Sequence, residues 1–502
     1  METAWQTAVQ RAPQTAVQHR GSRARWVSAA AVILASLAVG LQGGAPRADE
    51  IVPAAAAPRW WKGNLHTHTF WSDGDDFPEM VAEWYRTHGY HFLALSDHNV
   101  LSQGIRWDKE RSLLAKGGAG VVNAYLDRFG PAWVERRGSG DGAEIRLKPL
   151  DELRSLVEER GRFILIPAEE ITDKAEGVPV HINATNLRDP IQPVGGRTVT
   201  EAINANLRAV RDQAERAGRE ILAHLNHPNY GYAVTAEDLA HAVLERHFEI
   251  HNGHPGVNQR GDALHPSVDR MWDIANTIRL VDLGAAPLFG VATDDSHAYH
   301  GQPGASHPGR GWMMVRATHL TPEKILSALA AGDAYASTGV TLRDVVYDAG
   351  AKRLTVEVEP EAGADYTVQF IGTRAGVDTA GMPIDPATLD EAARKSLGRL
   401  RLRHSGEIGA VLATVKGPRA EYTFTGRELY VRAMVMSSLP VADPSWEGQM
   451  QQAWTQPAGW TAKEPGWTAK EPGWTAKEAG WTAKEAGWTA KEADKEQGRT
   501  GK

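Results

Sequence analysis

The chain contains no cysteine, which excludes disulfides, thiolate metal ligands, a cysteine nucleophile and a lipidated cysteine anchor. Any metal here must be held by histidine and carboxylate. Charge of one sign is also missing in quantity. A net charge of -7 over 502 residues, with no stripe of lysine and arginine, gives no nucleic-acid footprint. Long apolar runs are absent but for one, residues 26–41 (WVSAAAVILASLAVGL). Its 16 residues fall short of the roughly 20 that a spanning helix needs. A basic stretch precedes it (HRGSRAR, residues 19–25) and small and polar residues follow, the pattern of a secretory signal peptide. Residues 1–48 are therefore read as a leader, with export to a periplasmic or extracellular location expected and no stable membrane anchor. There is no G-x-S-x-G and no Walker-type phosphate loop, so a serine hydrolase elbow and a P-loop are excluded as first readings.

What is present begins near Trp60. Short apolar runs recur around residues 92–95, 163–166, 221–225, 248–250, 288–292 and 311–315, with helix patterns between several of them. Pro78 opens one helix and Gly89 lies just beyond its end. Thr235 starts a capping-box-like helix expected to reach Glu245, and Thr321-Pro322 starts another, stopped by Gly332. Repeated strand–helix alternation predicts an α/β fold on a parallel sheet, with about seven strands favouring a barrel over residues 58–339. Residues 102–161 read as an insertion beside the site that ends in a helix over 150–160. From residue 340 to 456, alternating apolar and polar residues predict a small β-rich domain. From residue 457 the unit GWTAKE repeats five times, starting at Gly459, with glycine and a lone tryptophan in each unit; this tail is expected to be disordered.

The chemistry lies at the expected strand ends, where catalytic groups of an α/β barrel sit. The first ends in His66 and His68 with Asp73 in the next turn, the second in Asp97 and His98, the third in Glu169 and Glu170. His181 follows; then come His224 and His227, then Glu249, His251 and His254, then Asp294, Asp295 and His297. One histidine at a strand end is more often a cap or a core group. Six successive ends bearing imidazole and carboxylate would be costly to bury unless something pairs them. A cluster of divalent ions would do so, and this donor set suits Zn, Mn or Fe.

The motifs HTHTFWSDG, ALSDHN, EEIT, NHP and DDSH, in this order, resemble the polymerase and histidinol phosphatase (PHP) metallohydrolase family over roughly residues 60–339. KGNLHTHTFWSDGDD and LNHPNYG resemble an exported branch that includes carbamate- and ester-cleaving enzymes as well as phosphoesterases. The resemblance implies a distorted seven-stranded α/β barrel with up to three metals. It implies that His66, His68, Glu170 and Asp295 hold one ion, that Glu170 bridges to a second held by His181 and His227, and that Asp73, His98 and His297 hold a third. Many members have histidine where this chain has Asp73. Glu169 competes with Glu170, and Asp294 with Asp295, for the ligand positions. Asp97 is read as orienting His98 or shuttling a proton, Arg310 as an anion clamp, His254 and His300 as substrate-facing, and His224 and His251 as supporting or structural.

The expected activity is metal-dependent hydrolysis by a metal-bridging hydroxide, with a small phosphoester as favoured substrate. A carboxyl-ester or carbamate substrate is the alternative at the same centre; it needs an apolar slot, toward which the tryptophan-rich surroundings (Trp61, Trp71, Trp84 and Trp107) lean slightly. A non-catalytic binding protein with a degenerate metal site is the reading from another class; it predicts missing ligands. No nucleic-acid partner is expected.

Overall fold

A computed structural model of the chain describes residues 56–461. The leader and nearly all of the repeat tail lie outside these residues. Numbering only the main elements, the strands are β1 (Arg59–Asn64), β2 (Phe92–Leu95), β3 (Ile164–Ala175), β4 (Val178–Thr185), β5 (Leu222–Leu225), β6 (His247–Asn252), β7 (Phe289–Thr293), β8 (Trp312–Ala317) and β9 (Ala334–Ser337). The principal helices are α1 (Pro78–Thr87), α2 (Val199–Ala217), α3 (Val268–Val281) and α4 (Pro322–Ala331). The C-terminal region adds β10 (Leu342–Asp348), β11 (Arg353–Val358), β12 (Tyr366–Arg374), β13 (Ala410–Lys416), β14 (Arg419–Thr423), β15 (Glu428–Pro440) and β16 (Met450–Thr455).

Local chemistry accounts for the boundaries. Thr198 caps α2 by accepting the Glu201 N–H, and Thr321 caps α4 by accepting that of Lys324, with Pro322 in the first turn. Thr235 and Asp238 form a reciprocal capping box, but that helix stops at Ala240, short of the expected Glu245. Its one turn buries Leu239 and Ala240, and the chain then turns toward β6.

The sheet is mixed rather than parallel throughout. β1, β2 and β3 run parallel, as do β5, β6 and β7, but β4 is antiparallel to both neighbours. The cause is local: Glu176 and Gly177 both take positive φ (51° and 80°), the backbone of a two-residue hairpin that returns β4 against β3. Thirteen strands form one ladder in the order β7-β6-β5-β4-β3-β2-β1-β8-β9-β16-β15-β12-β13. Just beyond the strand ends, Thr67 pairs in parallel with Ser296, and His68 N–H donates to the Ser296 carbonyl at 3.0 Å. The segments that follow β1 and β7, the outer two of the first seven strands, thus meet. At the other end of the β7 edge, the Gln456 side-chain amide donates to and accepts from the Gly290 backbone (2.9 and 2.8 Å).

The change of texture near residue 340 separates two apolar cores but not two sheets. One core fills the α/β part around Trp272, Phe248 and Leu225. The other joins the far end of the long sheet to the three-stranded sheet β10-β11-β14, around Val356, Val368 and Val435. The fold also extends past residue 457: Ala458 pairs with Val431, and Trp460 lies under the Arg246 guanidinium at 5.2 Å. The insertion builds its own three-stranded sheet (Arg106–Lys109, Glu144–Leu147, Arg136–Arg137) and closes with a helix over Leu150–Val157. Among the described residues, no helix is long and apolar enough to cross a membrane.

Candidate metal centre

All nine side chains expected as ligands come together at the C-terminal ends of the parallel strands. Glu170 is the hub. Its Oε2 lies 3.4 Å from His66 Nε2, 3.4 Å from His68 Nε2 and 2.7 Å from His98 Nδ1. Its Oε1 lies 3.0 Å from His181 Nδ1 and 3.5 Å from His227 Nε2. Asp295 Oδ1 stands 3.1 Å from both His66 Nε2 and His68 Nε2. Asp73 reaches His98 Nε2 and His297 Nε2, each at 3.5 Å, and His68 Nδ1 at 3.6 Å. Three sets have ligand atoms close enough to share an ion: His66, His68 and Asp295; Glu170, His181 and His227; and His68, Asp73, His98 and His297. The last includes His68, which the family resemblance assigned to a different ion.

Exposure grades through the centre. His66 and His68 are fully buried and Glu170 is 1% exposed, whereas His98 and His297 are 25% and 24% exposed and Asp73 is 55% exposed. The Asp73 side is therefore the mouth.

The pleat and the turns decide between neighbouring carboxylates. Glu170 faces the histidines, and Glu169 on the opposite face accepts the Ile191 N–H. Burial raises Glu169 to about 7. Burial would raise Glu170 too, but His66, His98 and His181 outweigh it and hold the carboxyl well below its ordinary range. Asp295 takes φ 49°, a sparsely populated backbone for this residue, and so turns inward. Asp294 points the other way and accepts from Tyr85 Oη at 2.8 Å and from the Arg310 and Gly311 N–H groups at 2.6 and 2.7 Å.

Other candidates take different places. Asp97 accepts from Thr69 N–H (2.8 Å), Thr69 Oγ1 (2.9 Å) and Ser72 Oγ (2.6 Å), so it orders the turn leading to Asp73 rather than orienting His98. Arg310 is no anion clamp. It is buried, and its donors go to Asp443 and to the Gly253 and Ala305 carbonyls. His254 stands at the rim, its ring 5.9 Å from His297 and 5.8 Å from Tyr230. His300 lies against Asp75 and Asp76, away from the hub. His251 is buried beside Trp454. The expected tryptophan slot does not form: Trp61 donates to Ala317, Trp71 sits in the insertion core, Trp84 stacks on His88, and Trp107 lies under Arg137.

Sequence reasoning left Glu249 without a role. It is fully buried, with His66 Nδ1 at 2.7 Å and Thr293 Oγ1 at 2.6 Å from Oε1, and His227 N–H and Asn252 Nδ2 at 2.7 and 2.8 Å from Oε2. Asn252 Nδ2 also reaches Asp295 Oδ2 at 3.1 Å. His224 Nε2 lies 3.5 Å from Glu249, giving a fourth close set with His66, but there His66 and Glu249 already hydrogen-bond directly. The signal available in the sequence was a carboxylate between two apolar residues, Phe248 and Ile250, in a short strand pattern, FEIHN.

These bonds test whether the residues suit a metal. With Nδ1–H donated to Glu249, His66 Nε2 presents a bare lone pair to the Glu170 and Asp295 oxygens. His66 Nε2 is buried without a hydrogen-bond partner, and Glu170 Oε2, though 2.7 Å from His98 Nδ1, has none in hydrogen-bonding geometry. His297 Nδ1 lies 2.8 Å from the Asp295 carbonyl, an obligate acceptor, which leaves its Nε2 toward Asp73. Acceptors facing acceptors in a dry site repel unless a cation lies between them. Without one, protons must serve: against burial, Asp295, Glu249 and Glu170 raise His66 well above its ordinary value, while burial and then His297 push His68 down to about 3. Imidazole and carboxylate donors without thiolate fit a divalent ion.

The class so defined is a mixed α/β protein with a buried histidine–carboxylate centre able to hold divalent ions. No protein-family model and no curated protein matches the chain. Among solved structures it is similar to a two-domain protein from Bacteroides vulgatus containing a predicted PHP-like metal-dependent phosphoesterase (15% identity, 82% of this chain and 100% of that chain, TM-score 0.33). It is also similar to a Bifidobacterium adolescentis protein described as a metal-dependent phosphoesterase (15% identity, 49% of this chain and 91% of that one, TM-score 0.25). PsfC from Pseudomonas syringae matches at 10% identity, over 54% of this chain and 88% of its own, with TM-score 0.28. At such scores the chemistry has to be read from the site's own residues.

Proposed function

We propose that the chain is an exported metal-dependent hydrolase of the PHP type, its first seven strands forming the distorted barrel, with a small phosphoester as substrate. The observation that carries the hydrolase reading is Glu170, one oxygen aimed at His181 and His227 and the other at His66, His68 and His98. A carboxylate so shared suits two adjacent cations. Ions bound there would supply Lewis acidity and a water acidic enough to ionise near neutral pH. The chain's own residues do the rest. Glu170 and Asp295 would hold the ions and offset their charge, Glu249 fixes the His66 ring, and Asp73, His98 and His297 line the mouth where substrate would enter. The preference for phosphoester rests on analogy with the family that the motifs resemble, whose members most often cleave one. The carboxyl-ester or carbamate reading uses the same centre, and the commitment of Arg310 to Asp443 removes one cation that a phosphate would have used.

The test is hydrolysis by the purified chain, loaded with Mn or Zn, of matched chromogenic phosphomonoester, phosphodiester and carboxyl-ester substrates. Chelator-sensitive phosphoester cleavage that drops at least about a hundredfold in Glu170→Gln is the expected result, since even supporting residues around metals cost ten- to a hundredfold. Ester cleavage alone moves the protein to the second reading. No bound metal in the wild-type chain overturns both. Export is tested by the N-terminal sequence of protein recovered outside the cytoplasm, which is expected to begin between residues 44 and 57.

A further inference from the structure

The loop between β15 and β16, residues 441–449, leaves the β-rich region and lies against two segments of the metal centre. Asp443 binds Arg310 through both oxygens, with Nε at 3.1 Å from Oδ2 and Nη2 at 3.0 Å from Oδ1. His307 Nδ1 adds a third bond to Oδ2 at 2.8 Å. Arg310 is 3% exposed, and its remaining terminal nitrogen, Nη1, donates to the Gly253 carbonyl at 3.1 Å and the Ala305 carbonyl at 2.8 Å. Ser445 Oγ, from the same loop, reaches the Gly253 carbonyl at 2.9 Å.

Each anchored point borders the centre. Gly253 directly precedes His254. It has no room for a side chain, since a Cβ there would lie 2.7 Å from the Asp294 carbonyl oxygen and 2.8 Å from Arg310 Cβ. Ala305 precedes Ser306, whose carbonyl accepts the His297 and Ala298 N–H groups at 3.0 and 2.9 Å, while Ser306 Oγ donates to the Asp295 carbonyl. On the far side, His307 Nε2 lies 2.8 Å from the Gln302 carbonyl, Gln302 Nε2 donates to Asp75 Oδ2 at 2.6 Å, and Asp75 N–H donates to the His297 carbonyl at 2.9 Å. The segment carrying Asp295 and His297 is thus fastened to the Asp73 turn at one side and to the β-rich region at the other. Removing Asp443 would leave a buried guanidinium with no anionic partner, only the Gly253 and Ala305 carbonyls and the His307 imidazole, whose Nδ1 lies 3.2 Å from Nη2, an arrangement that reorganises rather than persists.

We propose that Asp443 is a positioning residue for the metal centre: acting through Arg310, it lets the β-rich region hold the His254 and His297 segments in place. The consequence for metal binding rests on the proposed function above; the brace itself does not.

The test uses full-length wild type, Asp443→Asn, Asp443→Ala and, as control, Glu359→Gln, which breaks an exposed pair with Arg343 elsewhere in the β-rich region. Amide hydrogen exchange is followed by mass spectrometry in the metal-free proteins, and Mn and Zn binding is titrated by calorimetry. Both Asp443 variants are expected to exchange faster over residues 252–258 and 294–310, with β3 and β5 unchanged. They should also bind the ion nearest Asp73, His98 and His297 at least tenfold more weakly, with the affinity at Glu170, His181 and His227, which lie outside both segments, within twofold. The control should match wild type. Unchanged exchange in the two segments overturns the brace whatever the metal data show. Faster exchange with unaltered affinities makes Asp443 merely structural and overturns the positioning role. Faster exchange in a chain whose wild type binds no divalent ion overturns the positioning role and the proposed function together, while leaving the brace demonstrated. Should Asp443→Ala fail to fold, Asp443→Asn, which keeps the side chain's size and one acceptor, decides.

Discussion

Glu249 concentrates the centre's geometry in one carboxylate. It fixes which nitrogen of His66 carries the proton, takes the His227 N–H, and shares Asn252 with Asp295. Glu249→Gln keeps the shape and one acceptor but loses the charge that holds His66 in its tautomer. It is expected to weaken binding of the ion at His66 by about ten- to a hundredfold, read by metal titration against wild type. His251 gives a pH signature away from the ligands. Burial lowers it to about 4, against an ordinary value of 6.5. The folded chain therefore keeps it neutral while the unfolded chain takes up a proton below pH 6.5. Its contribution is intact above about pH 6.5 and is lost as pH falls toward 4, to a total of roughly 3 kcal/mol. His251→Phe, which keeps a ring beside Trp454, should show a shallower loss of stability from pH 6.5 to 4 in denaturant titrations run in chelator. Equal slopes for the two proteins would refute this.

At the scale of elements, the loop from His68 to Phe77 shows how a ligand turn is held. Phe77 stacks on Tyr125 of the insertion at 3.8 Å and meets Phe70 edge-on at 4.9 Å. Trp71 Nε1 donates to the Lys148 carbonyl at 3.1 Å. The insertion therefore serves as the wall against which the Asp73 turn is packed. Phe77→Ala empties that contact and should cost about 3–5 kcal/mol in chemical denaturation. A loss below about 1 kcal/mol would mean that the insertion packs independently of the turn. Helix starts at Pro78 and Pro322, and stops at Gly89 and Gly332, were readable because caps are local chemistry. The reversal of β4 was also written locally, in Glu176-Gly177, but its effect on the ladder was not, since pairing depends on strands far apart in sequence.

At the scale of the whole molecule, the α/β part and the β-rich region share a sheet and a buried ion pair. Arg432 of β15 reaches Asp273 of α3 through Nε (3.0 Å) and Nη2 (2.7 Å), and Tyr430 Oη reaches the same carboxylate at 2.7 Å. Arg432→Met strands Asp273 as a buried charge and should cost about 3–5 kcal/mol. Because the ladder runs unbroken from β9 into β16, wild type and variant should both unfold in one calorimetric transition. Two separate transitions would show that the regions are energetically independent.

The sequence by itself determined the inventory: imidazoles and carboxylates at successive strand ends, no thiolate, and the caps and turns that begin and end the helices. These are properties of residue type and short spacing. Only the tertiary structure decided which carboxylate of each pair turns inward, because that depends on pleat register and on the strained turn at Asp295. It gave Glu249 its work, since His66, His227 and Thr293 reach it from distant parts of the chain and only Asn252 is a near neighbour in sequence. It also moved Arg310 from a substrate clamp to a brace, because Asp443, 133 positions away, lies beside it only after folding.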